Sequence, residues 1–534
     1  MKKALIIIFS AVFCLTLLSA CTSREDFVPN KPDDYTPLPT EPYSGPAKAL
    51  EKESNFTLWS WQVTSVALAE EYASEIKKYG FDGIELCVRW SDFEPQRGKY
   101  DWRYLDSVLD VFVRNGFNLS LSILFWSEDL NWKDQLEYQC TADGEVYRYD
   151  DIRGSFLCLN SRSNMEIVSE TVKNFAIHCA ENYPENLTRW HIRTNCFADT
   201  EYASLVDLDY SDTAINAFAE FLSEKYSLEQ FNTLYKQKYT SWEGLKETKK
   251  SDLTALLPYE WKLFKQDTVI KFANMYDRIL KIAAPDIPTV LQLGGFWDTS
   301  ASYYRGTFDL YTISKECTVD IIQTSDAPSW PHDFSANLMV SMSDKLAAME
   351  IDGAWRSESE FSGYIQQAKD CGATGISYLG TVNWNLDDLK TYGEKYVALF
   401  SPEYKSAAAR PEGDETDVIL VNTLDFLLRQ PPQDLYDLYY YAYKNMTGKS
   451  GKKVRFITDT QLIDNPDLIN GIRKVHLGQL DTVVYMRDEL GQILANAKIT
   501  LVDDKNLQPN FVNQYGEPLA ESVQTKLRKM LKDS

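Results

Sequence analysis

Eight short apolar runs, each set among stretches of helical periodicity, recur from residue 56 to about residue 382 of a 534-residue chain. Strands buried on both faces read as continuous apolar runs, and parallel neighbours need a crossover, usually a helix, between them. A repeated strand–helix order therefore restricts the chain to a parallel α/β fold. The runs lie at 56–63, 81–90, 118–126, 188–195, 289–296, 319–325, 345–350 and 375–382. Helical patterns fall at 67–79, from 103, at 211–226 and at 268–284, with Gly80 and Asn115-Gly116 standing where helices end. Eight units over about 330 residues predict a (β/α)8 TIM barrel with long loops on one face. An open doubly wound sheet is the alternative. It would lack the closing eighth unit, and the Gly-rich phosphate turn it usually carries after its first strand is absent here.

In a barrel the functional positions are the C-terminal ends of the strands. Those ends carry Trp59 and Trp61, Arg89 and Trp90, Trp126, Asn195, Trp297, Asp326 and Trp330, Glu350 and Trp355, and Asn383 and Trp384. Any one of these tryptophans is more often a core residue. A whole set at one end of a barrel suits a saccharide, whose C–H faces stack on flat rings while carboxylates, amides and Arg take its hydroxyls. The chain is rich in such rings, with 13 Trp, 32 Tyr and 25 Phe. The run that ends in Met349-Glu350, followed by Gly353 and Trp355, would deliver an acid to the mouth. Taken alone, it reads as a core strand whose first loop residue happens to be Glu. A formal charge of −23 argues against nucleic acid or an anionic membrane surface as partner.

Outside the barrel, Lys2 and Lys3 precede an apolar run at 4–18 that has signal-peptide flanks and is too short for an ordinary spanning helix. It closes on Leu18-Ser19-Ala20-Cys21, which resembles the bacterial lipobox; an ordinary secretory signal is the alternative. Residues 1–21 are thus expected to be a lipoprotein signal with lipidation at Cys21, and the protein to be extracytoplasmic and anchored to a bacterial membrane through that lipid alone. The stretch 22–50, with six prolines among acidic and polar residues, is a disordered tether. The barrel is expected at 51–405. A polar turn in composition at 402–416 marks a boundary, and 415–534, with strand-like runs at 418–421, 453–457 and 482–486 and a helical stretch near 435–443, forms a smaller α/β domain. The Tyr439-Tyr440-Tyr441 run reads as a packing face. Of nine cysteines, those at 87, 140, 158, 179, 196, 317 and 371 lie beyond the leader without the close pairing of a structural zinc site. No metal and no cofactor is expected, and no disulfide is assigned.

The stretch 81–90 with Phe93-Glu94-Pro95-Gln96-Arg97-Gly98-Lys99-Tyr100-Asp101-Trp102 and Leu105-Asp106 resembles the second strand and following loop of retaining barrel glycosidases, most closely the beta-galactosidases of glycoside hydrolase family 42. Residues 218–226, with Phe231-Asn232 and Ser241-Trp242, resemble the helix after that family's fourth strand, and 319–326 and 372–378 resemble its sixth and eighth strands. The C-terminal domain resembles, more loosely, the family's flavodoxin-like second domain.

The resemblance implies cleavage of terminal galactosides or related oligosaccharides with retention, by a general acid after the fourth strand and a nucleophile after the seventh. One carboxyl must be protonated to supply the leaving oxygen while the other is ionised to attack the anomeric carbon. Glu350 takes the nucleophile position. The family's fourth strand ends in Asn followed by Glu, whereas here Asn195 is followed by Cys196. The nearest carboxylates downstream are Asp199 and Glu201, and the longer side chain of Glu201 makes it the preferred acid; the alternative reads both as solvated loop acids. Beta-amylases also carry a catalytic Glu a few residues past a strand end. Asn195 would hold the 2-hydroxyl, and Arg153, Arg89, Trp126, Asp326, Trp355 and Trp384 would line the substrate. Glu85 is expected inside the barrel, paired with Arg89 as a structural ion pair, and His178 and His191 are expected to be packed. The alternative to an enzyme is an inactive barrel that binds glycans, because Cys196 stands in the acid's place. An oligomer is compatible with the resemblance.

Overall fold

The structure, a computed structural model, describes residues 53–533 apart from 195–198, 204–205, 296–303, 325–331, 344, much of 353–374, 380–385, 393–415, 431, 451–453 and 506. The strands β1 (Glu53–Trp59), β2 (Gly83–Arg89), β3 (Asn118–Leu124), β4 (Leu187–Ile192), β5 (Thr289–Leu293), β6 (Ile321–Thr324), β7 (Leu346–Asp352) and β8 (Gly375–Leu379) are all parallel and close into a barrel, β8 pairing back onto β1. The expected TIM barrel is the observed fold.

Helix ends follow from local chemistry. Helix α1 (Val66–Lys78) begins where Ser65 accepts from the Leu68 amide, and Gly80 leaves it at φ 82°, a left-handed conformation that costs a glycine little. Ser161 and Ser211 cap α2 (Arg162–Asn182) and α3 (Asp212–Lys225) in the same way. The helical pattern read at 268–284 is the end of a longer helix, α4 (Pro258–Ala283), which opens on a proline at its first position, where the missing N–H has no bond to lose.

Two strand ends differ from the sequence expectation in ways that matter for the site. Strand β1 stops at Trp59, because the side chain of Gln62 accepts from the Trp59 amide and folds Ser60–Gln62 into a 3-10 turn carrying Trp61. Strand β7 runs two residues past Glu350 to Asp352, so Glu350 belongs to the strand and not to the loop after it.

The barrel interior is layered. Val290, Ile321 and Ala348 form a small apolar cluster, and the next residues on the same faces, two positions along β5, β6 and β7, are Gln292, Gln323 and Glu350. The polar layer therefore sits directly on an apolar floor.

Beyond the barrel, β9 (Asp417–Val421), β10 (Arg455–Thr458), β11 (Lys474–His476), β12 (Thr500–Asp503) and β13 (Leu531–Asp533) form a parallel sheet ordered β10-β9-β11-β12-β13, the order of flavodoxin-like doubly wound sheets. The strand-like run at 482–486 lies outside it and pairs instead with Asn510–Val512. Tyr439 is buried while Tyr441 is 55% exposed, so only part of the tyrosine run packs. Phe334 of the barrel packs edge-on against Tyr443 and Phe456 of this sheet's layer.

Candidate active site

The path of the chain after β4 decides where an acid can stand. Beyond Ile192 the backbone carries Arg193 and Thr194, and after 195–198 it is pulled back onto itself. The amide and hydroxyl of Thr194 both donate to the Asp199 carbonyl, at 3.1 and 3.0 Å. Thr200 is stitched on both sides, its amide donating to the Gln292 carbonyl at 2.7 Å and its hydroxyl to the Ile192 carbonyl at 2.6 Å. These bonds bring Glu201 alongside the end of β5, where it is 1% exposed.

Its carboxylate accepts from the Gly294 amide at 3.1 Å and pairs with Arg305 at 2.9 Å. Burial pushes the Glu201 carboxyl up to about 8; Asp199 pushes in the same direction, while Arg305 and the Gly294 amide pull it down. Glu201 can therefore hold a proton at neutral pH. A solvated loop acid would not.

Glu350 stands in a different field. Gln292 donates to its Oε2 at 2.9 Å, and the Arg193 guanidinium lies 3.7 Å from the same oxygen. Gln292 also reaches Asp199 at 3.5 Å, so one amide lies between the loop that carries the acid and the carboxylate on β7. Both carboxyls face a guanidinium, and what sets Glu201 apart is that burial outweighs Arg305 and raises it, the condition a general acid needs.

An aromatic wall adjoins these groups at the ends of β1 and β3. Trp61 stacks on Trp126 with ring centroids 4.7 Å apart and lies 4.8 Å from Trp59. Arg153 follows a short hairpin strand (Arg148–Asp150), is held by Asp150 at 2.8 Å, and lies over the rings of Tyr149 and Trp126 at 4.6 and 5.8 Å. Arg153 and Trp126 are thus brought together.

Other expectations need correction. Glu85 pairs with Arg193, not with Arg89. Four residues along a strand separate side chains by roughly 13 Å, which puts Arg89 beyond reach of Glu85. Arg89 instead binds Asp92 at 2.9 Å and faces Asp129 at 3.6 Å. Trp90 is no mouth residue: it is fully buried, packs on Phe125 and Trp132, and donates to Glu94 at 2.7 Å. Asn195, Asp326, Trp355, Trp384 and Cys21 lie outside the described residues. Among the described residues no group of three or more His, Cys, Asp or Glu side chains gathers as a metal site.

The sequence reading passed over Arg193, Gln292, Gln323, Gly294 and Arg305. The two glutamines did carry a signal. Each interrupts an apolar run, Thr289-Val290-Leu291-Gln292-Leu293 and Ile321-Ile322-Gln323-Thr324, and a polar side chain inside a buried strand must find partners there.

A parallel barrel with a carboxylic acid after β4 and a carboxylate on β7 is the plan of the two-carboxylate barrel glycosidases. The chain belongs to glycoside hydrolase family 42: the family's profile, described as beta-galactosidase, matches residues 60–353. Among curated proteins it is 23% identical over 231 residues to the beta-galactosidase LacZ of Heyndrickxia coagulans, an alignment covering 41% of this chain and 33% of that one. The matched part is thus about a third of that relative's length. Among solved structures, the cold-adapted beta-galactosidase from Rahnella sp. R3 superposes with a TM-score of 0.69 at 16% identity, covering 92% of this chain and 76% of that one. The catalytic domain of the beta-amylase from Paenibacillus polymyxa superposes with a TM-score of 0.54 at 14% identity, covering 66% of this chain and all of that domain. At these identities the superpositions speak for the fold.

Proposed function

We propose that the protein is a retaining glycoside hydrolase for galactosides or closely related glycosides, with Glu350 as nucleophile and Glu201 as general acid and then base. The observation that carries this reading is the buried Glu201 after β4, which burial raises to about 8 against the pull of Arg305, beside Glu350 on β7, which accepts from Gln292 and lies 3.7 Å from Arg193. In the first step Glu350 attacks the anomeric carbon as the Glu201 proton passes to the leaving oxygen. In the second, the Glu201 carboxylate takes a proton from water as that water displaces Glu350. Asn195 would hold the 2-hydroxyl, and Arg153, Trp126, Arg89, Asp326, Trp355 and Trp384 would line the sugar. The reading as an inactive glycan binder rests on Cys196 at the acid's usual place, and the buried carboxyl of Glu201 nearby favours the enzyme instead.

The test is a panel of aryl glycosides. Glu350→Gln should abolish turnover, and Glu201→Gln should spare only substrates whose leaving group needs no proton, such as dinitrophenyl glycosides. A fully active Glu350→Gln protein would sink the assignment.

Cys21 as a lipidated first residue, with 22–50 as tether, would hold the enzyme on the outer side of a bacterial membrane. Incorporation of labelled fatty acid that Cys21→Ala abolishes supports this, and unchanged labelling overturns it. An oligomer is compatible with the family resemblance and is read by light scattering.

A further inference from the structure

Glu85 lies on the inner face of β2, wholly buried, in a barrel whose interior is ordinarily apolar. Its Oε1 pairs with Nη2 of Arg193, and the same Nη2 stands 3.7 Å from Oε2 of Glu350. Its Oε2 accepts from Nε2 of Gln323 at 3.3 Å, and that Nε2 also donates to Oε1 of Gln292 at 3.0 Å. Gln292 then turns its own Nε2 to Glu350 at 2.9 Å. Gln292 and Gln323 are register neighbours across β5 and β6, so the relay is built into the sheet. An ionised carboxylate only accepts hydrogen bonds, so Glu85 fixes the direction of the whole chain of donors toward Glu350.

We infer that Glu85 is a positioning residue for Glu350: it holds the Arg193 guanidinium on its own carboxylate, 3.7 Å from the nucleophile, and orients the Gln323–Gln292 relay that donates to it. This deepens the reading of Glu350 as nucleophile and rests on it. The titratable and charged groups facing the pair are Cys87 on β2, Arg189 and His191 on β4, Asp199 after it, Tyr276 on α4 and Glu350 on β7. Burial drives the Cys87 thiol up to about 12 and His191 down to about 4, so both stay neutral through the working range.

Removing the Glu85 charge frees Arg193 to close on Glu350 and takes a neighbouring anion away. Both changes favour ionised Glu350. Removing the Arg193 charge does the reverse. The test follows the carboxyl resonance of Glu350 by 13C NMR in the full-length protein, assigned by its loss in Glu350→Gln, beside the pH profile of kcat/KM on an aryl glycoside. Glu85→Gln should raise the Glu350 ionisation constant about tenfold, move the acid limb to lower pH, and lower kcat more than it changes KM, because a tightly paired carboxylate attacks more slowly. Arg193→Met should shift both readouts toward higher pH. Glu85→Asp keeps the charge one methylene back and should restore most of the parent titration; it also stands in where Glu85→Gln does not fold. Folded variants with unshifted Glu350 titration overturn the inference. Shifted titration in a protein with no glycosidase activity upholds it and overturns the functional reading instead.

Discussion

The backbone amide of Gly294 donates to the Glu201 carboxylate at 3.1 Å, from a position hemmed in by the ends of the Arg305 and Glu201 side chains. A Cβ there would stand 1.5 Å from Nη1 of Arg305 and 2.6 Å from Oε2 of Glu201, so both side-chain ends would have to move to admit it. The close approach of backbone to carboxylate is what glycine permits at the end of β5.

Gly294→Ala should therefore displace Arg305 and Glu201 together. The expected result is a loss of kcat of about a hundredfold on substrates with poor leaving groups, and a far smaller loss on dinitrophenyl glycosides, which need no acid. Equal losses on both substrate classes would show that Glu201 is not the proton donor.

The pH dependence follows from the same carboxyl. Because its folded value is raised to about 8 from an ordinary 4.5, the folded protein binds this proton more tightly than the unfolded chain does. The stabilisation is complete below about 4.5 and is lost as the pH rises through about 8. Activity should show an alkaline limb near pH 8 as the acid deprotonates, with Arg305 and Asp199 as the charges that set it. Activated substrates, which need no acid, should lack that limb, and in Glu201→Gln the part of the stability loss between those values should vanish, read from kcat/KM profiles and urea unfolding at a series of pH values.

Much of this site was readable before folding, and the part that was not has a common cause. Glu350 closes an apolar run that taken alone reads as a core strand, and only the family resemblance gave that acid a role. Glu201 could only be ranked over Asp199, since its position depends on Thr194 and Thr200 turning the chain back, and nothing in the spelling Cys196-Phe197-Ala198 says that it turns. The Glu85–Arg193 pair joins residues 108 apart across the barrel, and such partners are chosen by closure, not by neighbours in sequence. Glu85 was expected to choose Arg89 because only nearby charges were in view.

The Trp61–Trp126 stack should act on binding and not on chemistry. Trp61 is the less buried ring, stacked on Trp126 and 4.8 Å from Trp59. A ring contact of this kind is worth about 1 kcal/mol, so Trp61→Ala should raise KM about fivefold and leave kcat within about twofold. Trp61→Phe, which keeps a face, should recover most of the loss. A change confined to kcat would remove the wall from the substrate's path.

The contact between the barrel and the C-terminal sheet offers a test of a different kind. Asp459 is fully buried; it pairs with Arg487 and accepts from the Thr423 amide and hydroxyl, at 3.1 and 2.8 Å. Arg487 in turn donates to the Tyr259 hydroxyl at 2.9 Å, on the first turn of barrel helix α4. Removing the cation leaves a carboxylate buried with neutral donors alone, and stranding a buried charge in this way costs about 3–5 kcal/mol. Arg487→Ala should lower the unfolding free energy by that amount, whereas Tyr259→Phe, which removes one hydroxyl and keeps the ion pair, should cost about 1 kcal/mol. Both are read by urea unfolding at neutral pH. If the two variants cost the same, the buried ion pair, which lies within the C-terminal domain, adds nothing beyond the Tyr259 bond that crosses to the barrel beside the packing of Phe334 on Tyr443 and Phe456.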